Sequence, residues 1–212
     1  MAKECRSDSQ RLAPFRRRSI SGRGAVVLSA FAIALIAPRL EADTETYKLE
    51  ASSSSVRFEL RHLLGTATGR FRNVRGTLRI DRDHPENATV VASVQAQSID
   101  TGNGTRDAHL RTELFETARY PEITFRSRTV KRVGSDRADV TGDLTMHGIT
   151  KPFVLHVALL QTGTGAQPRW HVIGGTLKRS DFGLSWSKGV EAVSMIGDDI
   201  RVQIDAESVP GH

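Results

Sequence analysis

From Tyr47 onward, apolar and polar residues alternate with a period of two rather than 3.6, the pattern of strands with one dry and one wet face. Val56, Phe58, Leu60 and His62 alternate with Arg57, Glu59 and Arg61. Across Thr66 to Asp81, Phe71 is followed by Val74, Gly76, Leu78 and Ile80, alternating with Arg75, Thr77 and Arg79. Val90, Ala92, Val94 and Ala96 share one parity between Ala88 and Ile99, and Ile123 and Phe125 flank Thr124. Ala138, Val140, Gly142, Leu144 and Met146 alternate with polar residues, and the stretches 151–160, 170–178 and 200–206 complete a set of eight predicted strands. Short turn-rich links such as His84 to Asn87 and Gly134 to Asp136 favour antiparallel neighbours.

Eight such strands remove their edges by closing into an up-and-down barrel, the expected fold here, although two packed sheets would alternate in the same way. Gly69, Gly76, Gly142, Gly174 and Gly175 inside strand patterns suit the bends and bulges of a coiled wall. One connection differs. Between Ile99 and Ile123, Leu110, Leu114 and Phe115 have helical spacing behind Asn103 or Thr105 as a cap, which predicts a short helix over one mouth. A tight turn at Gly148-Ile149 would set Leu144 opposite Phe153, Val140 opposite Val157 and His156 opposite Thr141, leaving His147 and His156 on the outer face.

Composition places the chemistry. The chain has 212 residues with 38% hydrophobic and 25% charged, which suits a globular domain, and a net charge of +6. Of that excess, +5 lies in residues 1–42, where Lys3, Arg6, Arg11, Arg16, Arg17, Arg18, Arg23 and Arg39 outnumber Glu4, Asp8 and Glu41. The near-neutral remainder argues against nucleic acid as a partner, because phosphate neutralisation carries that affinity. Arg16 to Arg18 and Arg23 precede the uncharged run AVVLSAFAIALIA, Ala25 to Ala37, which is too short to cross about 30 Å of hydrocarbon. It reads as a secretory signal over residues 1–42, cleaved after Ala42, with an uncleaved anchor as the alternative and twin-arginine export as one route. The mature chain then keeps no stable transmembrane segment. The one cysteine, Cys5, precedes the apolar run, so a lipoprotein anchor and a disulfide framework are both excluded.

Beyond Cys5, which the expected cleavage removes, the chain has no thiol, no GxSxG or HExxH motif is present, and neither an enzymatic function nor a metal site is expected. Asp107 and Arg111 are four apart on the predicted helix and can pair, and Arg106 and His109 share a face. Read without further information, the apolar inward parity is either a filled core or the wall of a pore. The small inward residues Gly76, Ala92, Ala96, Ala138, Gly142 and Gly174 favour spare volume.

The segments VRFELRHL, SIDTGNGTRDAHLRTELFETARYPEITF (Ser98 to Phe125), TGDLTMHGITKP (Thr141 to Pro152) and RSDFGL (Arg179 to Leu184) resemble the YceI-like family of lipid- or polyisoprenoid-binding proteins over nearly all of residues 43–212. The segment LLGTATGRF departs from the pattern in having no bulky apolar residue between Gly65 and Gly69. The resemblance implies an all-β, lipocalin-like eight-stranded barrel in the periplasm, holding a polyisoprenoid lipid or quinone tail in an apolar pore and needing no other cofactor. A homodimer is one assembly it allows. The tail would touch Phe58, Leu60, Phe71, Leu78, Ile80, Val94, Leu110, Phe115, Phe125, Leu144, Met146, Phe153, Leu155, Val157, Phe182, Trp186, Val202 and Ile204. Arg106, His109 and Asp181 are the head-group candidates, and the same mouth residues would serve an isoprenoid-modifying enzyme.

Overall fold

The computed structural model describes residues 44–62, 65–81, 83–161, 168–186 and 196–211. The described residues all belong to one compact unit, Leu40–His212. The expected export signal and cleavage point therefore lie outside the described residues.

Eleven strand segments run in chain order: β1 (Thr44–Leu49), β2 (Ser55–His62), β3 (Gly65–Phe71), β4 (Val74–Asp81), β5 (Thr89–Gln95), β6 (Ile99–Asp100), β7 (Glu122–Arg132), β8 (Arg137–Met146), β9 (Ile149–Gln161), β10 (Arg169–Lys178) and β11 (Asp199–Pro210). Every pairing is antiparallel, in the order β1-β4-β5-β7-β8-β9-β10-β11, and β11 closes the ring by pairing back to β1. β11 also pairs with β2 through Ile200↔Leu60 to Asp205↔Ser55, and β2 continues to β3 and β3 to β6. β1 and β2 are thus the two halves of one bent strand, as are β3 and β4, and β5 and β6. Counted that way the barrel has eight antiparallel strands, and the packed-sheet alternative falls away.

Alternation foresees the eight, but not their bends, nor β1, whose inward positions Glu45, Tyr47 and Leu49 begin on a charge. Ser54 and Ser208 are buried at the break between β1 and β2, where Ser54 Oγ accepts from Glu207 N–H at 3.3 Å and Trp170 Nε1 donates to Ser208 Oγ at 3.0 Å. These bonds satisfy polar groups where the ladder is interrupted.

The glycines divide by role. Gly174 and Gly175 sit at the register shift between Ile173 and Thr176, and Gly175 has φ +61°. Gly142 lies beside the shift between Ser127 and Thr129. Several are covered from within. A Cβ at Gly142 would stand 2.6 Å from Phe125 Cζ, one at Gly174 3.3 Å from Phe153 Cε1, and one at Gly76 2.7 Å from Leu49 Cδ1. The ring of Phe58 fills the space at Gly69 in the same way, which answers the missing bulk between Gly65 and Gly69. The volume expected at Gly76, Gly142 and Gly174 is therefore taken by neighbouring side chains.

The β8–β9 turn is His147-Gly148, with φ +51° and +75°, the two positive values a two-residue hairpin of this twist requires. Gly148 occupies the second position, one residue earlier than the predicted turn. The register moves by two in consequence. Leu144 lies opposite Lys151, Gly142 opposite Phe153, Val140 opposite Leu155, Ala138 opposite Val157 and Asp139 opposite His156. A shift of two keeps every side chain on its own face, so the inward parity is unchanged.

Between β6 and β7 lies α1 (Gly104–His109), which widens into a π-helical turn over Leu110–Leu114. Asn103 Oδ1 caps α1 by accepting from Arg106 N–H at 3.0 Å. Leu114 and Phe115 are buried beneath it, and the Phe115 ring meets Phe71 edge to face at 5.7 Å between centroids. A 3-10 turn, Arg179–Phe182, ends at Gly183 with φ +66° and buries Phe182 and Leu184 at the same end of the barrel.

Candidate functional site

The inward faces enclose a cavity of about 990 Å³. Its wall runs from Leu60, His62, Thr101, Arg106 and Trp186 at the helix-bearing end to Ile80, Arg132, Ser135, Asp136 and Arg137 at the other. A filled barrel would leave no such space, so parity here marks a lined pore.

Of the residues expected to touch a ligand, Phe58, Leu60, Phe71, Leu78, Ile80, Val94, Leu110, Phe115, Phe125, Leu144, Met146, Phe153, Leu155, Val157, Trp186, Val202 and Ile204 all stand in this wall. Phe182 does not. It is buried in the 3-10 turn behind the wall, and Leu184, two residues on, faces the cavity instead. Sequence reading missed Tyr47, Leu49, Ile99, Trp170, Leu177 and Arg179. Tyr47 and Leu49 are odd-numbered whereas Val56, Phe58 and Leu60 are even-numbered, so the inward parity changes at the bend and the alternation of β2 does not extend to them. Leu177 and Arg179 change parity at the Gly174-Gly175 bulge, which a strict period of two cannot follow.

The polar candidates at the helix-bearing end are mostly committed to the fold. Arg106 reaches the cavity wall, but its Nε donates to Thr101 Oγ1 at 2.8 Å and its Nη2 to Thr101 C=O at 2.9 Å. His109 and Asp181 are exposed and lie off the wall. Asp107 and Arg111 do not pair. The buried Asp107 carboxylate accepts from Thr101 N–H at 3.0 Å and Thr101 O–H at 2.6 Å, and Arg111 donates to Gln97 C=O at 2.9 Å and Ile99 C=O at 2.7 Å. Both ends of the expected pair instead bind the helix to the strand before it, where backbone groups would otherwise lack partners.

Arg179 does the same for the second cover. It is buried, with Nη1 donating to Leu184 C=O at 2.8 Å and Nε to Gly197 C=O at 3.0 Å. Ser180 N–H and O–H donate to Asp198 at 2.9 and 2.7 Å, so the carboxylate fixing this loop is Asp198 and not Asp181. Burial, the largest single influence, pushes the Asp198 carboxyl up, but the two Ser180 bonds and the charges of Arg179 and Lys178 together outweigh it and hold it below its ordinary value. In β6, the Arg72 guanidinium holds Asp100 down at about 2, helped by the Gly102 N–H and by Arg70.

His147 joins the two covers rather than facing outward. Its Nε2 lies 3.3 Å from Glu116 Oε1, its Nδ1 3.3 Å from Phe182 C=O, and its ring meets Tyr120 at 4.5 Å between centroids. His156 pairs with Asp139 on the outer wall at 2.7 Å. Among the described residues, no three His, Cys, Asp or Glu side chains gather as metal ligands would.

The model of the YceI-like domain matches residues 47–208. This chain belongs to that family. Protein YceI of Escherichia coli O17:K52:H18 is 35% identical over 150 residues, which are 68% of this chain and 78% of that protein. Protein YceI of Salmonella arizonae is 33% identical over the same span. Among solved structures, Burkholderia cenocepacia BcnA superposes with a TM-score of 0.69 at 19% identity, covering 76% of this chain and 99% of that one. A polyisoprenoid binding domain from Saccharophagus degradans superposes at 0.59 with 23% identity, covering 78% and 98%. The YCEI protein of Campylobacter jejuni gives 0.58 at 25% identity, covering 69% and 85%. The first two likenesses speak to the fold. As a YceI-like barrel the chain carries an apolar interior with polar residues at both ends, and most of those at the helix-bearing end hold the covers in place.

Proposed function

We propose that this YceI-like barrel binds a polyisoprenoid lipid, such as a quinone tail or polyprenyl lipid, in its cavity and carries or stores it in the periplasm without chemical change. The observation that carries this reading is the cavity itself, about 990 Å³ and walled by aliphatic and aromatic side chains along its length. Small-molecule sites span roughly 300 to 1,000 Å³, so this one sits at the upper edge, where a long flexible ligand fits. Each methylene moved from water into such a wall contributes about 0.8 kcal/mol, and micromolar affinity needs about 8 kcal/mol net. Several isoprene units supply that after the cost of ordering the chain, so the tail sets strength and the head group adjusts identity.

The polyisoprenoid binding domain from Saccharophagus degradans supports the ligand class through its shared fold. A non-enzymatic role is supported by how Arg106, Asp107, Arg111 and Arg179 are used, since each holds backbone or hydroxyl groups of the covers.

The chain's two tryptophans, Trp170 and Trp186, both line the cavity and provide the test. Titration of delipidated protein with a polyprenyl alcohol of defined length is expected to change their emission saturably at one ligand per chain. A linear response, or one equal to that of a short alcohol of the same head group, contradicts the reading.

A further inference from the structure

Leu160 and Val133 are the two most exposed large apolar side chains among the described residues, at 64% and 59% of full exposure. Both stand at one end of the barrel, opposite the helix. Val133 N–H donates to Arg137 C=O at 3.0 Å to close the β7–β8 hairpin, and Leu159 N–H donates to Asp136 C=O at 2.9 Å, fastening β9 to the hairpin tip beside Leu160. The hairpin is also cavity wall. Arg132, Ser135, Asp136 and Arg137 line the space and are exposed, so the cavity reaches the surface here.

Charge is unevenly spread around this end. The hairpin stretch 128–137 holds Arg128, Lys131, Arg132 and Arg137 against Asp136 alone. Arg128 is paired with Asp143, and Arg132 donates to Gly134 C=O at 2.8 Å, which keeps that guanidinium at the tip. Beside the hairpin on the same rim, the turn between β4 and β5, whose Pro85–Asn87 segment packs against β7, carries exposed Asp83 and Glu86. The hairpin therefore combines bare apolar side chains with cations, and the adjoining turn adds two acids. Apolar side chains flanked by Lys and Arg are what a bilayer surface takes up, the former among the acyl chains and the latter at anionic head groups.

We propose that the rim formed by the β7–β8 hairpin and Leu160 docks on a bilayer containing anionic phospholipid, with the hairpin side of the cavity mouth turned into the head-group layer. The docking rests on the lipid reading given above, because a chain passing through this mouth into a bilayer never crosses water.

The test is flotation of the full chain with vesicles of phosphatidylcholine alone or mixed with phosphatidylglycerol. Wild type is expected to float preferentially with the mixed vesicles. Val133→Ser combined with Leu160→Ser is expected to cut that fraction severalfold, and Lys131→Glu severalfold at low salt and little at high salt. The N-terminal apolar run is common to all three proteins, so the difference between them reports the hairpin. A dye on Val133→Cys in a Cys5→Ser background gives a second reading, with a blue shift expected on mixed vesicles. Variants that float like wild type, a wild type indifferent to phosphatidylglycerol, or an unshifted dye overturn the proposal. Lipid extracted from each protein is scored separately: absence of isoprenoid from all of them counts against the ligand, whereas an equal load with no flotation counts against the docking alone.

Discussion

Leu144 and Val202 project from the wall into the cavity, while Asp143 and Arg201, their neighbours in sequence, face water. Leu144→Asp and Val202→Lys place an uncompensated charge among apolar groups, costing several kcal/mol in stability or abolishing lipid retention. Asp143→Asn and Arg201→Gln break only exposed ion pairs and are expected to shift stability by about 1 kcal/mol or less in urea unfolding, with retention unchanged. Asp100 makes a second prediction at this scale. Its carboxyl, held at about 2 by Arg72, Gly102 and Arg70, binds its proton later in the folded state than in the unfolded one. The stabilisation from this group is therefore complete above the ordinary carboxylate value near 3.8 and is lost as pH falls from there toward 2. NMR titration of Asp100 is expected to show a midpoint near 2, and Arg72→Gln to move it upward.

At the scale of elements, the His147-Gly148 turn and the two covers depend on one another. Gly148→Ala forces a Cβ to 2.8 Å from the Tyr120 ring at φ +75°, whereas Gly102→Ala meets the same φ with nothing within 4 Å. Backbone strain of about 1 kcal/mol or more applies to both, so Gly148→Ala is expected to lose more stability than Gly102→Ala in the same unfolding assay. His147→Ala removes the contacts to both Glu116 and Phe182 and is expected to increase hydrogen exchange in 110–120 and 179–184 together. Much of this was legible and some was not. Away from the bends and the bulge at Gly174-Gly175, alternation locates the eight strands and their inward faces, because parity survives a register error of two. The turn position was missed because Gly148-Ile149 and His147-Gly148 both place a glycine in a two-residue loop. The expected Asp107–Arg111 pair does not form, because spacing says which groups can meet, and not that Thr101 and two carbonyls already claim them.

For the whole molecule, eight alternating strands suit a closed ring but also two packed sheets, and it is the pairing of β11 with β1 that closes the ring; the hollow interior is no more legible in the pattern. Alternation is the same for a packed core and a lined pore, and the glycines that suggested space are covered by Leu49, Phe125 and Phe153. The cavity comes from the diameter of the closed wall, where side chains from opposite strands fail to meet. The measurement that bears most directly on this is mass spectrometry of an organic extract of the purified protein, compared with Leu144→Asp. An isoprenoid species at about one per wild-type chain, absent from a folded Leu144→Asp, is the expected result. An extract of wild-type protein with no isoprenoid, or equal amounts from both proteins, would contradict a barrel that holds its ligand by burying the tail.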